Sequence, residues 1–153
     1  MEITSPAFKN GEKVPKQFTC EGININPSLK FSNVPAEAKS LVLLVEDPDA
    51  DAKPWVHWLV YNIPPQCGGF EEDSIPKGAI QGICNGGTYG YEGPCPPDRL
   101  HNYMFKLYAI DKILDVPESA DRKAILKEIE GHVVDEALLV GTYPKATRLV
   151  PID

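Results

Sequence analysis

The sequence predicts a mainly β fold built from short strands, and three observations carry that expectation. Fifteen prolines and twelve glycines are spread through 153 residues, punctuation that leaves few windows long enough for helices. Residues 55–63 and 100–111 alternate with a period of two, which is the period of a pleated strand. Only residues 118–130 read as a convincing helix. The length suits one domain, spanning 1–153, with a core large enough to fold without cross-links.

In chain order, residues 3–8 and 18–20 are weak segments expected at a sheet edge, 21–27 a loop, and 29–31 a short strand. Residues 40–46 carry the unbroken run Leu41, Val42, Leu43, Leu44 and Val45 between polar neighbours, which marks a central strand buried on both faces. That strand runs into Asp47-Pro48-Asp49-Ala50-Asp51. Proline fixes φ there and the aspartates hydrogen-bond their own backbone, so a tight turn bearing carboxylates is expected. Strict alternation over 55–63 puts Trp55, His57, Leu59 and Tyr61 on one face, and Val56, Trp58, Val60 and Asn62 on the other.

Residues 64–78 read as a surface loop without regular structure, and 79–84 as a further strand. Residues 85–97, rich in glycine and proline, read first as a long connecting loop, the alternative being a bend whose successive N–H groups converge on an anion. In 100–111, His101, Tyr103, Phe105, Leu107 and Ala109 share one face. Ser119 or Asp121 caps the helix and Gly131 ends it. His132 lies just past that end as an exposed or capping residue with no ligand role, and 137–143 is the closing strand.

The formal charge is −7, from 22 acidic against 15 basic residues, and the cations form no block. This argues against non-specific nucleic-acid binding and against an electrostatic membrane anchor. Residues 1–15 have no apolar core of signal-peptide length, and the apolar run in 41–45 is too short to span a bilayer. A soluble, cytoplasmic protein is expected. Cys20, Cys67, Cys84 and Cys95 are too few and too dispersed for a disulfide scaffold or a paired zinc site. Four reduced thiols are expected, with a Cys67–Cys84 bridge as the alternative.

Asp47, Asp49, His57, His101 and Tyr103 are the ionisable groups able to converge in a cleft. A carboxylate that accepts from one imidazole nitrogen fixes the ring and favours its charged form, leaving the other nitrogen to donate to an anion. Two such rings, a phenol and a nest of backbone N–H groups suit a phosphate. No activated nucleophile is evident, and neither a cofactor nor a metal is implied, so a binding module is favoured over an enzyme. The alternatives are a small hydrolase with Asp47 and His57 as a base pair, or a metal-dependent enzyme using Asp47, His57 and His101. A third is a protein inhibitor whose working part is the 64–78 loop.

Asp47-Pro48-Asp49-Ala50, Val56-His57-Trp58, Gly93-Pro94-Cys95-Pro96-Pro97 and His101-Asn102-Tyr103 resemble the two signature regions of the phosphatidylethanolamine-binding protein family, in the bacterial and archaeal branch of Raf kinase inhibitor-like proteins. Further segments across nearly the whole chain, from Ser5-Pro6-Ala7-Phe8 to Gly141-Thr142-Tyr143, are similar too. The resemblance implies a β-sandwich with a large central antiparallel sheet, a smaller second sheet and a peripheral helix.

It also implies a phosphate-binding pocket made by Asp47, His57, His101 and Tyr103, with backbone from Gly93, Pro94 and Cys95, and Asp49 in support. The implied partners are phosphorylated small molecules, lipid head groups or phosphorylated protein segments, with a kinase or serine protease as protein target and a homodimer as the family habit. No counterpart of the extra C-terminal helix of animal members is expected here, and the pocket mouth is expected to be more open or covered by a partner subunit. Three departures touch the turn geometry and the charge at the mouth. Asp51 stands for a usual proline, Asn102 for a usual arginine, and Asp98-Arg99-Leu100 replaces a usual glycine.

Overall fold

The computed structural model describes residues 1–52 and 54–147. In chain order the strands are β1 (Glu2–Thr4), β2 (Leu29–Ser32), β3 (Ser40–Asp47), β4 (Trp55–Ile63), β5 (Gly69–Phe70), β6 (Ile80–Gln81) and β7 (His101–Ile110), then helix α1 (Arg122–Ile129) and strand β8 (Val133–Tyr143). They form a three-stranded sheet in the order β1-β2-β5 and a five-stranded sheet in the order β6-β4-β3-β7-β8. The pairings between these strands are antiparallel.

β3 is the centre of the large sheet, and all eight of its residues are buried. Leu41, Leu43 and Val45 face the small sheet, where they meet Ile3, Leu29, Phe31 and Phe70 in one core. Val42 and Leu44 face the other way, towards Ile125 and Ile129 of α1. The Trp58 indole stands edge-on to Phe70 at 5.2 Å and to Tyr91 at 5.4 Å. Its Nε1–H donates to Gln81 Oε1 at 2.8 Å, which satisfies its one polar atom. Glu46 is buried on the helix side of the sheet, where Lys106 Nζ and Arg122 Nε reach its two carboxylate oxygens at 2.5 and 2.7 Å. That pair of bonds fastens the start of α1 to β3 and β7.

The alternation expected for β4 is broken twice. Leu41 pairs with Ile63 and Asp47 with Trp55, so nine residues of β4 lie along seven of β3, with register shifts between Val45 and Glu46 and between Leu41 and Leu43. Each extra residue is a β-bulge, which re-aims the side chains beyond it. The bulge at His57 moves Val56 into the helix-side core with Leu59 and Tyr61, while Trp58 and Val60 keep the sandwich side. The second bulge holds Asn62 at φ +52°. Its side-chain amide accepts from Leu114 N and donates to Leu114 O, at 2.8 and 2.9 Å.

Other expectations are corrected in detail. The 18–20 segment is not a strand: a 3-10 turn occupies Lys16–Phe18. The 64–78 loop contributes β5, because Phe70 has a core position to fill against β2. The 79–84 strand shrinks to two residues. The helix is shorter than 118–130, since Asp121 is its N-cap, accepting from Ala124 N at 3.0 Å. Gly131 follows it at φ +81°, a left-handed conformation that ends helices.

Candidate anion-binding site

Asp47 ends β3 beside the start of β7, so the antiparallel register carries its carboxylate to His101. His101 Nδ1 donates to Asp47 Oδ2 at 2.6 Å, with both side chains at most 5% exposed. Its Nε2 donates to Asp98 Oδ1 at 2.8 Å, and that carboxylate is half-exposed. Carboxylates only accept, so this ring carries a proton on each nitrogen. Burial works against that charge, but Asp47 and Asp98 together outweigh it and hold the His101 pKa above the ordinary histidine value. The His101 hydrogen bond in turn holds the Asp98 carboxyl below its usual range.

His57 is held differently. Its Nδ1–H donates to the Glu92 carbonyl at 2.6 Å. Burial pushes its pKa below the ordinary value, and the Glu92 carbonyl and the more distant Asp47 do not compensate. The ring is therefore neutral, with the lone pair on Nε2. A carboxylate on each imidazole was expected; His57 has a backbone carbonyl instead, and the second nitrogen of His101 already faces Asp98. Tyr103 lies between the rings, edge-on to His57 at 5.2 Å and stacked with His101 at 6.4 Å. Burial pushes its pKa up, so the hydroxyl stays a donor.

The Gly93–Cys95 wall is clamped to the segment that follows β1. A Cβ on Gly93 would lie 2.1 Å from Phe18 O and 2.5 Å from Asn24 Oδ1, so only glycine fits. Gly93 N donates to Asn24 Oδ1 at 2.8 Å and Tyr91 Oη to Phe18 O at 2.7 Å. Proline has no N–H, so residues 93 and 94 do not supply the converging donors expected of the bend. Cys20 and Cys95 form a disulfide across this contact, 75 residues apart in sequence, which overturns the expectation of four reduced thiols. Cys67 and Cys84 are the free pair. Burial pushes the Cys84 thiol up to about 11, so it is unreactive at neutral pH.

These walls enclose a cleft of about 300 Å³ lined by Asp47, His57, Gly93, Cys95, His101 and Tyr103, together with Ala50, Asp51, Trp55, Glu92, Pro96, Pro97 and Asp98. Two expected residues lie off the lining. Pro94 accepts from Cys20 N at 3.1 Å, and Asp49 holds the start of β7 by accepting from Asn102 N and Nδ2 at 2.8 and 3.0 Å. Asp49 N donates to Asp47 Oδ1 at 2.8 Å, the local aspartate turn expected from the sequence. His132 pairs with Asp111 at 2.8 Å, and neither residue lines the cleft. Among the described residues no group of three or more His, Cys, Asp or Glu side chains is placed to hold a metal ion. The geometry agrees, since both His101 nitrogens and His57 Nδ1 are already donating.

Residues 4–144 match the family model of the phosphatidylethanolamine-binding protein. The chain belongs to the phosphatidylethanolamine-binding protein family. A UPF0098 protein of Methanothermobacter thermautotrophicus is 45% identical over 148 residues, covering 94% of this chain and 98% of that protein. One from Chlamydia trachomatis is 43% identical, covering 95% and 99%. The crystal structure of a phosphatidylethanolamine-binding protein homologue from Chlamydia trachomatis superposes with a TM-score of 0.90 at 43% identity, covering 95% of this chain and 97% of the other. An E. coli member of the mammalian phosphatidylethanolamine-binding protein family gives 0.86 at 31%, covering 93% and 96%. Membership makes the chain a non-catalytic module of the anion-binding phosphatidylethanolamine-binding type.

Proposed function

We propose that the cleft recognises a phosphate-type group, borne by a small molecule, a lipid head group or a protein segment, with His101 and Tyr103 as donors and His57 Nε2 as the partner of a protonated oxygen. The observation that carries this reading is the doubly protonated His101. A buried carboxylate keeps the ring charged and oriented beside a cleft of about 300 Å³, and a charged N–H is a strong donor to phosphate oxygens. Tyr103 adds a neutral donor. His57 Nε2 accepts from a protonated phosphate oxygen, or takes up a proton once an anion lies beside it.

A hydrolase with Asp47 and His57 as a base pair would need Asp47 on the His57 ring, but Asp47 is bonded to His101 and to Asp49 N, and His57 Nδ1 to the Glu92 carbonyl. Cys95 is committed to the disulfide, and His101 Nε2 points at a carboxylate. A kinase or protease target fits this reading when the phosphate sits on a protein segment. A purely loop-borne inhibitor fits less well, since the 64–78 segment is tied down through Phe70 and through Asn26 Nδ2 donating to Glu71 O at 3.0 Å.

The test is a proton NMR titration of the histidine ring signals with phosphate and O-phosphoethanolamine. Saturable shifts of His57 and His101 with His132 unmoved support the reading, and three unmoved rings refute it. Affinity for sulfate, whose charge is constant across the neutral range, should fall as pH rises through the raised His101 pKa. There the ring loses both a charge and a donor.

A further inference from the structure

The two carboxylates on His101 are not equivalent. Asp47 is buried at the end of a central strand, and its other oxygen accepts from Asp49 N. It has nowhere to go. Asp98 has a side chain 53% exposed and, apart from His101, is anchored among the described residues only within its own turn, where Oδ1 also accepts from Arg99 N at 2.9 Å and Oδ2 lies 4.0 Å from Arg99 Nε. Arg99 Nη2 donates to Asp49 O at 3.3 Å, so the backbone of this turn is strapped to the acidic turn after β3. A rotation of the Asp98 side chain would expose its carboxylate to water and leave that strap in place.

Resting on the phosphate-site reading above, we propose that Asp98 is a built-in competitor for His101 that selects the ligand. A phosphomonoester dianion displaces it, and a singly charged phosphodiester or carboxylate does so poorly. One N–H cannot donate fully to two oxygens, so any ligand oxygen that takes His101 Nε2 must first expel Asp98. Because Asp98 is tethered beside the ring, it competes at a high effective concentration. A monoanion offers the imidazolium the same charge without the tether. A phosphomonoester offers about −1.5 to −2 charges near neutral pH and three acceptor oxygens. The remaining lining acids, Asp47, Asp51 and Glu92, raise the cost for every anion, whereas Asp98 alone contests the donor itself.

The test compares dissociation constants of O-phosphoethanolamine, a monoester, and glycerophosphoethanolamine, a diester, for the wild type, Asp98→Ala and Asp98→Asn. Calorimetry is read beside the histidine ring signals. The wild type should prefer the monoester by about tenfold or more, equivalent to about 1.4 kcal/mol. Asp98→Ala should tighten both ligands, the diester more, so that the preference largely disappears. Asp98→Asn, close in size and neutral, should follow it if charge is the cause. Loss of Asp98 also lowers the His101 pKa, which works against binding, so a gain in affinity is the stricter result. An unchanged monoester-to-diester ratio in both variants, with His57 and His101 still shifting, overturns the role of Asp98 and leaves the phosphate site standing. Failure of either ligand to move those two rings in all three proteins overturns the site itself, and the competitor with it.

Discussion

The two walls of the cleft are built on opposite principles. The wall at β4 and Glu92–Cys95 keeps its histidine neutral and is fixed by main-chain contacts and a cross-link: a carbonyl on His57, a glycine against Phe18, and a disulfide. The wall at β7 is charged and fixed by side chains, with Asp47 and Asp98 on His101. The first sets the shape of the cleft and resists a change of solution conditions. The second sets its affinity and responds to pH.

Removing the disulfide tests the first wall and has the largest expected effect. In the chain-entropy picture a closed loop of this size contributes about 4 kcal/mol. Cys20→Ser with Cys95→Ser should lower unfolding stability in urea by that order, by a similar amount at pH 6 and pH 8. A loss confined to one pH would assign the effect to charge.

Asp47→Ala breaks the second wall. Removing one partner of a buried ion pair costs about 3 kcal/mol, and phosphate should no longer shift the His101 signals. Urea unfolding and the same titration read both effects. Stability unchanged within error would mean that Asp98 suffices to hold the ring.

The third prediction sets the two histidines against each other. The His101 pKa is raised in the folded protein, so its contribution is complete below the unfolded value near 6.5 and is lost as pH climbs through the raised one. The His57 pKa is depressed, so the fold resists a proton that the unfolded chain accepts, and stability falls as pH drops below about 6.5. Stability from this pair should peak near that pH. His101→Asn should remove the alkaline slope and His57→Gln the acid one; swapped slopes would reverse the assignment of the two rings. The smallest effect belongs to His132→Ala. Its partly exposed pair with Asp111 should cost under about 1 kcal/mol and leave phosphate affinity unchanged by calorimetry.

Much of this was legible in the chain. An unbroken apolar run could only be a doubly covered strand, so β3 was plain, and β7 alternated without a defect. Asp47, His57, His101 and Tyr103 were legible because few ionisable groups lie within apolar strands. The faces of β4 were misread because a bulge leaves no mark in a periodicity of two until its partner strand is known. The Cys20–Cys95 pair was invisible for the same reason, since sequence distance does not report spatial distance. Asp98 was visible only as part of the segment that stands in place of a usual glycine; its position three residues before His101 was the available signal. Glu46 was read as the polar end of an apolar run, and only the placement of Lys106 and Arg122 shows why it is tolerated in the interior.

The two bulges of β4 also bear on which changes of chain length the molecule tolerates. Loss of one residue between Trp55 and Trp58 would remove the bulge and leave a regular ladder on β3, either deleting the histidine or moving it into the helix-side place of Val56, and so taking it from the cleft. An equal loss in the loop between β5 and β6 would meet no paired strand and be absorbed. Insertions and deletions that survive in this scaffold should therefore collect in the connections and spare the middle of β4. A single-codon deletion scan across residues 54–80, scored for soluble expression and phosphate retention, would draw that boundary directly.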